Sequence, residues 1–329
     1  MFQLARICKK PPWALVLSGG GAKGFAHAGV LKALQDMRFP EPSLVAGTSM
    51  GAVIGGVYAS GMPVSEILQV IGAFTITDCL DSFAFKFNGP VGKILQTGQL
   101  LGSLAGRPWI DSGARILALL EKLTGRKTFA QARIPFRCNA VDLLSGREVV
   151  FSGGGLAAAI RASMSYPIFF EPLRLGRLYL VDGGLADNLP ARIAAREGFK
   201  RILAVDVGGG GPCVGETVWT PALRGAGGVD TAPKILSRCL DLALQRMYLR
   251  GRDCRTDLTL YAANGMSPLA FHRKKEFLAL GEQAVRDKAE DLERFFSRGL
   301  RAYLRLKRRR AGPQEIPIAY TEDTHAEIE

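Results

Sequence analysis

The chain has 329 residues, of which 47% are hydrophobic and 22% are charged, which is ordinary for a globular protein with a sizeable core. No stretch of about eighteen residues is continuously apolar and no N-terminal apolar run is long enough for a secretory signal, so we expect a cytoplasmic protein without a transmembrane helix. The net charge of +13 indicates an anionic partner, either nucleic acid or the anionic face of a membrane.

The first elements alternate strands and helices around two glycine-containing turns. Residues 13–17 (WALVL) are continuously apolar, which is typical of a strand buried on both faces. A glycine-rich loop at residues 19–24 follows, and residues 25–37 have a helical pattern. A second apolar strand at residues 44–46 runs into the turn 47–51 (GTSMG) and then another helix. This order predicts a mainly parallel sheet covered by helices.

Ser49 lies at the centre of a G-x-S-x-G motif between a strand and a helix. In a nucleophile elbow this pattern forms a sharp turn that lifts the serine hydroxyl above the sheet. Gly47 and Gly51 are then required because strand and helix lie too close for a Cβ atom at either position. The motif also occurs by chance in a chain with 39 glycines, where it would reflect tight packing alone. Ser49 is therefore a candidate nucleophile that needs a proton acceptor.

The middle of the chain continues the alternation of strands and helices. Residues 72–109 hold phenylalanines and leucines among glycines, and we predict that they form an apolar flap. Further elements are predicted from apolar periodicity and turn residues: helices at 110–123 and 156–164, hairpin strands at 134–143 and 147–151, and strands at 178–181 and 201–205.

The C-terminal third differs from the rest in composition. Residues 298–310 (RGLRAYLRLKRRR) carry seven basic residues and no acid. Helical patterns cover residues 235–250 and 274–307, after a stretch rich in glycine and proline. We therefore divide the chain into four parts: a core domain at 12–207, a linker at 208–234, a basic helical extension at 235–310 and an acidic, disordered tail at 311–329.

Histidine, the usual base for a serine nucleophile, is scarce in this chain. His325 lies in the polar tail, and His27 follows the glycine loop, where packing or a local hydrogen bond is the favoured role. His272 lies in the extension and could complete the order Ser–Asp–His of the α/β-hydrolases. Those enzymes reach their elbow after several strands, whereas this chain has two strand candidates before Ser49. A carboxylate is therefore the better candidate for the base.

Asp182 is the outstanding carboxylate because it follows a hydrophobic strand directly. The carboxyl ends of parallel strands meet at one edge of the sheet, so we expect Asp182 to lie at the same edge as Ser49. Burial in an apolar pocket would raise the pKa of Asp182 and make it a better base. The alternative is that Asp182, Gly183 and Gly184 only form a turn.

The glycine loop has the formal pattern G-x-G-x-x-G, which also occurs in dinucleotide-binding proteins. Two observations count against a dinucleotide. No acidic residue closes the second strand, since Glu41 precedes it, and that strand ends instead in the turn of Ser49. The loop fits better as an oxyanion hole, because its N–H groups can point at the carbonyl oxygen of a substrate held by Ser49.

Within the loop, the N–H groups of Gly20, Gly21 and Ala22 are the expected oxyanion donors. The role of Lys23 stays open between two alternatives: orienting the loop, or simple solvation. None of the six cysteines forms a C-x-x-C pair, and no Cys/His cluster has zinc spacing, so neither a metal nor a cofactor is predicted.

Three stretches together resemble the patatin-like phospholipases: residues 20–31 (GGAKGFAHAGVL), 161–167 (RASMSYP) and 182–190 (DGGLADNLP). The resemblance covers about residues 13–207. It implies a three-layer α/β/α fold and lipid acyl hydrolysis by a Ser/Asp dyad without histidine. Residue by residue, it assigns the following roles: Ser49 as nucleophile, Asp182 as proton acceptor, Gly19, Gly20, Gly21, Ala22, Lys23 and Gly24 as oxyanion loop, Gly47 and Gly51 as the elbow glycines, and Gly183 and Gly184 as the Asp-Gly-Gly motif.

We therefore expect an enzyme that cleaves phospholipids or other acyl esters through an acyl-enzyme intermediate. Whether water or an alcohol takes the acyl group stays open. The flap at 72–109 is expected to shape the acyl pocket, and residues 298–310 either hold the enzyme on anionic lipid at the cytoplasmic face or form an ordinary solvated helix end. The alternative function is a catalytically silent regulator that binds lipid or protein on the same fold. Nucleic-acid binding is disfavoured because the basic run lacks interleaved aromatic residues.

Overall fold

The computed structural model describes residues 12–76, 111–208 and 256–297, except Ile168 and Asn264. Five predictions fall wholly or mainly outside these residues: the flap at 72–109, the linker at 208–234, the helix at 235–250, the basic run at 298–310 and the tail at 311–329.

The described residues contain one mixed sheet of eight strands. The strands in chain order are β1 (Ala14–Leu17), β2 (Leu44–Gly47), β3 (Phe136–Asp142), β4 (Glu148–Phe151), β5 (Leu173–Leu175), β6 (Leu178–Asp182), β7 (Ile202–Asp206) and β8 (Leu258–Tyr261). Their order in the sheet is β5-β6-β3-β2-β1-β7-β8, and β4 pairs with β3. Strands β3, β2, β1, β7 and β8 are parallel neighbours, whereas β4, β5 and β6 pair in antiparallel fashion.

Seven helices accompany the strands within the described ranges, and residues 289–297 are also helical. The helices are α1 (Phe25–Asp36), α2 (Met50–Ser60), α3 (Val64–Ala73), α4 (Ala114–Leu123), α5 (Leu156–Ser163), α6 (Ala191–Arg196) and α7 (Lys274–Asp287). None of the helices in the described part of the chain is both long and apolar enough to cross a membrane.

The apolar residues of β1 explain why the sheet has helices on both faces. Leu15 and Leu17 belong to a core cluster that includes residues of α1, α2 and α7, whereas Ala14 and Val16 belong to a second cluster with residues of α6. Alternate side chains of a strand point to opposite faces, so each cluster lies on its own side of the sheet. The three-layer α/β/α architecture with a mainly parallel sheet is therefore confirmed.

Strand β3 brings the ends of β2 and β6 together. At Cys138 it pairs with β2 and β4, and at Ala140 it pairs with β4 and β6. Because β4 occupies one edge of β3 throughout, β2 and β6 share the other edge. Strand β2 is parallel to β3 and β6 is antiparallel to it, so their carboxyl ends face each other. Those ends are Gly47, opposite Cys138, and Asp182, opposite Ala140.

This topology corrects the expectation that Asp182 meets Ser49 along the carboxyl edge of parallel strands. Asp182 ends an antiparallel strand whose carboxyl end faces that of β2, the strand before Ser49. The physical reason is that β5 and β6 form a hairpin beside the carboxyl end of β3, and β6 then runs back toward β2. A continuous apolar run predicts a buried strand but does not reveal its direction.

The segment predicted as a helical extension also contributes to the sheet. Residues 258–261 form β8, which is parallel to β7, so the prediction of a purely helical extension was incomplete. The helix predicted from residue 274 ends at Asp287, with Lys288 between α7 and the next helical residues. Phe277 and Val285 of α7 are fully buried in the same core cluster as α1. The described part of this segment is therefore packed against the core.

The other main helix prediction also needs an adjustment at its start. Helix α4 begins at Ala114, not at residue 110, because Gly113 before it has a left-handed φ of 68° that breaks the helix. Ser112 Oγ accepts a hydrogen bond from Ala114 N–H at 3.2 Å, and Gly125 follows the helix with φ 62°. The remaining predicted strands and helices agree with the structure to within one or two residues at each end.

Candidate active site

Ser49 stands between β2 and α2 in a strained turn. Its φ of 53° and ψ of −122° lie where residues other than glycine are rarely found. Such a conformation costs on the order of 1–3 kcal/mol and persists because the surrounding packing imposes it. A Cβ atom on Gly51 would overlap the carbonyl oxygen atoms of Leu17 and Ser18, and one on Gly47 would overlap Gly51. The steric argument for the two glycines therefore agrees with the packing.

The Ser49 backbone is fixed by a second serine. Its N–H group donates a hydrogen bond to Ser163 Oγ at 2.9 Å, and Ser163 is fully buried at the end of α5. The Ser49 residue itself is partly exposed. The side chain is therefore held in place yet open to approach from solvent.

Asp182 lies directly beside the Ser49 hydroxyl. The carboxylate is hydrogen-bonded to the Ser49 side chain and accepts the Gly184 N–H at 2.8 Å. Only 5% of Asp182 is exposed. Loss of solvation on burial raises the pKa of Asp182 to about 6, and the two hydrogen bonds offset only part of that shift. The carboxylate is thus ionised near neutral pH and much more basic than an exposed aspartate.

Asn139 of β3 joins the two strand ends. Its side-chain oxygen accepts the Thr48 hydroxyl at 2.7 Å, next to Ser49. Its amide nitrogen lies 3.3 Å from the Gly183 carbonyl oxygen, next to Asp182, and 3.1 Å from that of Asp187. The residue is fully buried, and it fixes the spacing between the elbow and the aspartate turn. Sequence reasoning missed Asn139 because its role depends on contacts with residues that are distant along the chain.

The glycine loop lies against Ser49 at its first residue. A Cβ atom on Gly19 would lie 3.1 Å from Ser49 Cβ. The Gly19 N–H donates to the Asn188 carbonyl at 3.0 Å, and the Asn188 side chain donates back to the Gly19 carbonyl at 3.2 Å. Asn188 therefore fastens the loop to the segment that follows Asp182, although the sequence motif gave it no individual role.

Some N–H groups of the glycine loop already donate a hydrogen bond within the protein, and others do not. The Ala22 N–H donates to the Pro268 carbonyl at 2.7 Å, so the expectation that Ala22 helps bind an oxyanion does not fit this structure. The N–H groups of Gly20 and Gly21 have no hydrogen-bond partner among the described residues, and both residues are partly exposed. Gly21 has a φ of 56°, which a side chain would strain. These two adjacent donors follow Gly19, the loop residue that lies against Ser49.

Lys23 is buried below the loop. Only 6% of the residue is exposed, which rules out the alternative that it is simply solvated. Burial lowers the pKa of Lys23 to about 8, and the charge of the fully buried Asp206 opposes that shift. The Asp206 carboxylate also accepts the Gly208 N–H at 2.8 Å. The remaining alternative, that Lys23 orients the loop, agrees with this placement.

The described histidines are not hydrogen-bonded to the Ser49 side chain. His27 is fully buried, and its Nε2 atom hydrogen-bonds the Ser18 carbonyl at 2.8 Å. Burial lowers the pKa of His27 to about 4, so it is neutral and packed, as the sequence favoured. His272 is exposed in the short 3-10 helix Phe271–Arg273, and His325 lies outside the described residues. Among the described residues, no group of three or more His, Cys, Asp or Glu side chains could hold a metal ion.

The fold and site together define a class of protein: a three-layer α/β/α domain with a serine on a strand–helix elbow and a buried aspartate hydrogen-bonded to it. A family model described as Patatin-like phospholipase matches residues 15–195, which is more than half of the chain. The chain therefore belongs to the patatin-like phospholipase family.

The chain is also similar to individual proteins. An uncharacterized NTE family protein of Mycobacterium tuberculosis is 34% identical over 204 residues, covering 62% of this chain and 51% of that protein. Lysophospholipase NTE1 of Saccharomyces cerevisiae is 30% identical over 210 residues, covering 63% of this chain and 11% of that protein. Among solved structures, VipD from Legionella pneumophila has a TM-score of 0.48 at 17% identity, covering 84% of this chain and 67% of that one. The chain thus matches about half of the first relative's length and a small part of the second's.

Proposed function

We propose that this chain is a serine acyl hydrolase that cleaves lipid esters with Ser49 as nucleophile and Asp182 as proton acceptor. The observation that carries the proposal is the hydrogen bond between the Ser49 side chain and a buried carboxylate whose pKa is raised to about 6. A serine needs such a base to become a nucleophile, and a base works best when its pKa lies near the working pH.

In the first half of the reaction, Ser49 Oγ attacks the carbonyl carbon of the ester while Asp182 takes the hydroxyl proton. Negative charge develops on the carbonyl oxygen, where the N–H groups of Gly20 and Gly21 can donate to it. The bond from carbon to the alcohol oxygen then breaks, and the proton on Asp182 passes to the leaving alcohol. The product of this half is an acyl ester on Ser49.

In the second half, a water molecule attacks the acyl carbon and Asp182 takes its proton. The bond between Ser49 Oγ and the acyl carbon breaks, and the proton returns to Ser49. A carboxylic acid leaves, and the dyad is restored. One carboxylate thus acts as base and acid twice, as microscopic reversibility requires for a two-step acyl transfer.

The lipid substrate is inferred from family and relatives. The family is described as phospholipases, and the yeast relative is named a lysophospholipase. The two buried core clusters leave the Ser49 turn partly exposed, so an ester at the end of a long acyl chain could reach it. Phospholipids and lysophospholipids are therefore the first substrates to test, with other acyl esters as a broader class.

Hydrolysis of short p-nitrophenyl esters and of lysophospholipid tests this proposal. Ser49→Ala and Asp182→Asn should each lower turnover by at least about 10³-fold, because general-base and nucleophilic catalysis are both lost. Asp187→Asn is a matched control, since Asp187 lies five residues further along the chain and its pKa is also raised to about 6 by burial. It should keep most of the activity.

Three results would count against the proposal. Turnover retained in Asp182→Asn would remove Asp182 as the base. Turnover retained in Ser49→Ala would place the nucleophile elsewhere. A wild-type protein that neither hydrolyses these esters nor reacts with a fluorophosphonate would favour a catalytically silent regulator on the same fold.

A further inference from the structure

Two hairpin turns lie side by side beyond the carboxyl end of β3. The first is the turn between β3 and β4 at residues 143–147, and the second joins β5 to β6 at residues 176–177. The Leu143 N–H donates to the Tyr179 carbonyl at 2.7 Å, which extends the pairing of β3 with β6 up to the turns. We call residues 143–147 and 174–179 the hairpin tip.

The hairpin tip exposes large apolar side chains. Leu143 is 57% exposed and Leu144 is 73% exposed, the highest value of any large hydrophobic residue in the described part of the chain. Tyr179 is also exposed, at the same end of the neighbouring hairpin. Isolated exposed leucines are common on protein surfaces, but two adjacent ones on a projecting turn next to a tyrosine form a small apolar prominence.

The neighbouring hairpin carries two exposed basic side chains. Arg174 and Arg177 are exposed, and the Arg174 guanidinium lies 5.6 Å from the centre of the Tyr179 ring. Two carboxylates lie beside the hairpin tip, and both are engaged in hydrogen bonds. Asp142 is buried and accepts the Ser145 hydroxyl at 2.6 Å, and Glu148, the one carboxylate within residues 143–150 and 173–180, is part-buried against Asn139. The exposed large apolar side chains of the hairpin tip are therefore accompanied by exposed basic ones and by no exposed carboxylate within the tip.

The hairpin tip and Ser49 lie at the same end of the sheet, where strands β2 and β3 finish. Strands β2 and β3 are parallel, and Ser49 follows the carboxyl end of β2 while Leu143 and Leu144 follow that of β3. Leu144 lies four positions beyond Ala140, the partner of Asp182, so the turn lies past the aspartate at the carboxyl end of β3. A surface that touches the hairpin tip would therefore lie near the dyad.

We infer that the hairpin tip docks the protein on the surface of an anionic phospholipid bilayer. Leucines insert into the boundary of the acyl chains, tyrosine and arginine favour the headgroup level, and basic side chains attract anionic lipid. An acidic partner protein would match the charge, but the exposed pair of leucines on a projecting turn fits a fluid apolar layer better than a flat interface. The inference deepens the proposed function, on which it rests, because docking would present membrane lipid to Ser49.

Co-sedimentation of the full chain with vesicles tests the inference. Vesicles of phosphatidylcholine mixed with phosphatidylserine should bind the wild type, and pure phosphatidylcholine should bind it more weakly. Leu143→Ser with Leu144→Ser should lower partitioning by at least about tenfold, because apolar area no longer leaves water. Arg174→Gln with Arg177→Gln should lower it by about 30-fold on the mixed vesicles, at about fivefold per arginine.

Matched controls come from the opposite edge of the sheet. Met37 is exposed at the end of α1, before the amino end of β2, and Arg196 and Lys200 are exposed before the amino end of β7. Met37→Ser, and Arg196→Gln with Lys200→Gln, should leave vesicle binding within about twofold of the wild type, since these side chains face away from the docked membrane.

The outcomes separate docking from catalysis. Binding is measured without turnover, so failure of the proposed hydrolysis leaves it intact. Equal loss of binding in the hairpin-tip and control variants would overturn the inference, and so would unchanged binding in the hairpin-tip variants. A wild type that binds neither kind of vesicle would overturn it in favour of a protein partner. Hairpin-tip variants that lose turnover of a short dissolved ester as well would also overturn it, because the turns would then serve substrate binding.

Discussion

Burial of Asp182 affects both its pKa and the stability of the fold. Burial removes water from the carboxylate, and the free-energy cost of this desolvation raises its pKa to about 6. The same cost opposes folding when the carboxylate is ionised. Two hydrogen bonds among the described residues, from Gly184 and Ser49, favour the charged form. They offset only part of the effect of burial, so the ionised carboxylate lowers the stability of the folded state.

The stability of Asp182→Asn should reveal this cost. The folded pKa of about 6 lies above the unfolded value of about 3.9, so the folded state binds more protons between them and stability falls as pH rises through that window. Asparagine does not ionise, so Asp182→Asn removes this loss of stability with rising pH. The difference in unfolding free energy between variant and wild type should therefore rise by on the order of 2 kcal/mol from about pH 4 to about pH 7.

Urea unfolding at several pH values measures this difference. Asp36→Asn is the control, because Asp36 is an exposed carboxylate at the end of α1. It should not reproduce the pH-dependent gain. Parallel stability curves for Asp182→Asn and wild type would show that the carboxylate is not buried as described.

At the scale of single residues, the sequence predicted the parts of the site that belong to local motifs. Ser49 was found because a strained elbow needs flanking glycines, and Asp182 because it follows an apolar strand and histidines are few. Asn139 and Ser163 could not be found in this way. The role of each depends on contacts made across distant parts of the chain.

At the scale of elements, the pair of helices α1 and α7 shows how tightly this fold is packed. A Cβ atom on Gly29 of α1 would overlap the Leu278 carbonyl of α7, and one on Gly281 of α7 would overlap the Ala26 carbonyl of α1. The backbones of the two helices therefore touch at reciprocal glycines. This contact joins the N-terminal half of the chain to its C-terminal segment.

Gly29→Ala tests the helix contact. The added methyl group must push α7 away, so the free energy of unfolding should fall by about 1–3 kcal/mol. Gly72→Ala in α3 is the control, because its Cβ would meet nothing within 4 Å and alanine favours a helix. It should raise stability by up to about 1 kcal/mol. Urea unfolding that shows Gly29→Ala to be as stable as Gly72→Ala would contradict the contact.

Elements were predicted well where the polarity pattern was clear and missed where it was mixed. Strands β1 and β2 are short but continuously apolar, whereas strands β5 and β8 and helices α3 and α6, which were not predicted, combine polar and apolar residues. The direction of β6 was also wrong, because the apolar pattern of a buried strand is the same in both directions.

At the scale of the whole molecule, the sheet gathers distant segments at one place. The glycine loop follows β1, Ser49 follows β2, Asn139 is part of β3 and Asp182 ends β6. The C-terminal segment supports the same region, because the Pro268 carbonyl accepts the Ala22 N–H of the glycine loop. On sequence alone we separated that segment from the core because its composition differs. Composition does not show which residues of the two parts are in contact.

The central claim is that Asp182 activates Ser49, and the rate at which a fluorophosphonate labels the protein tests it most directly. Labelling needs the nucleophile and its base but no lipid surface. In the wild type, mass spectrometry should find the label on Ser49, and the second-order rate constant should rise with pH to a plateau with a midpoint at about pH 6, as Asp182 ionises. In Asp182→Asn the rate should fall by at least about 10²-fold, with no such midpoint. A label on another residue, or an unchanged pH profile in Asp182→Asn, would contradict the account.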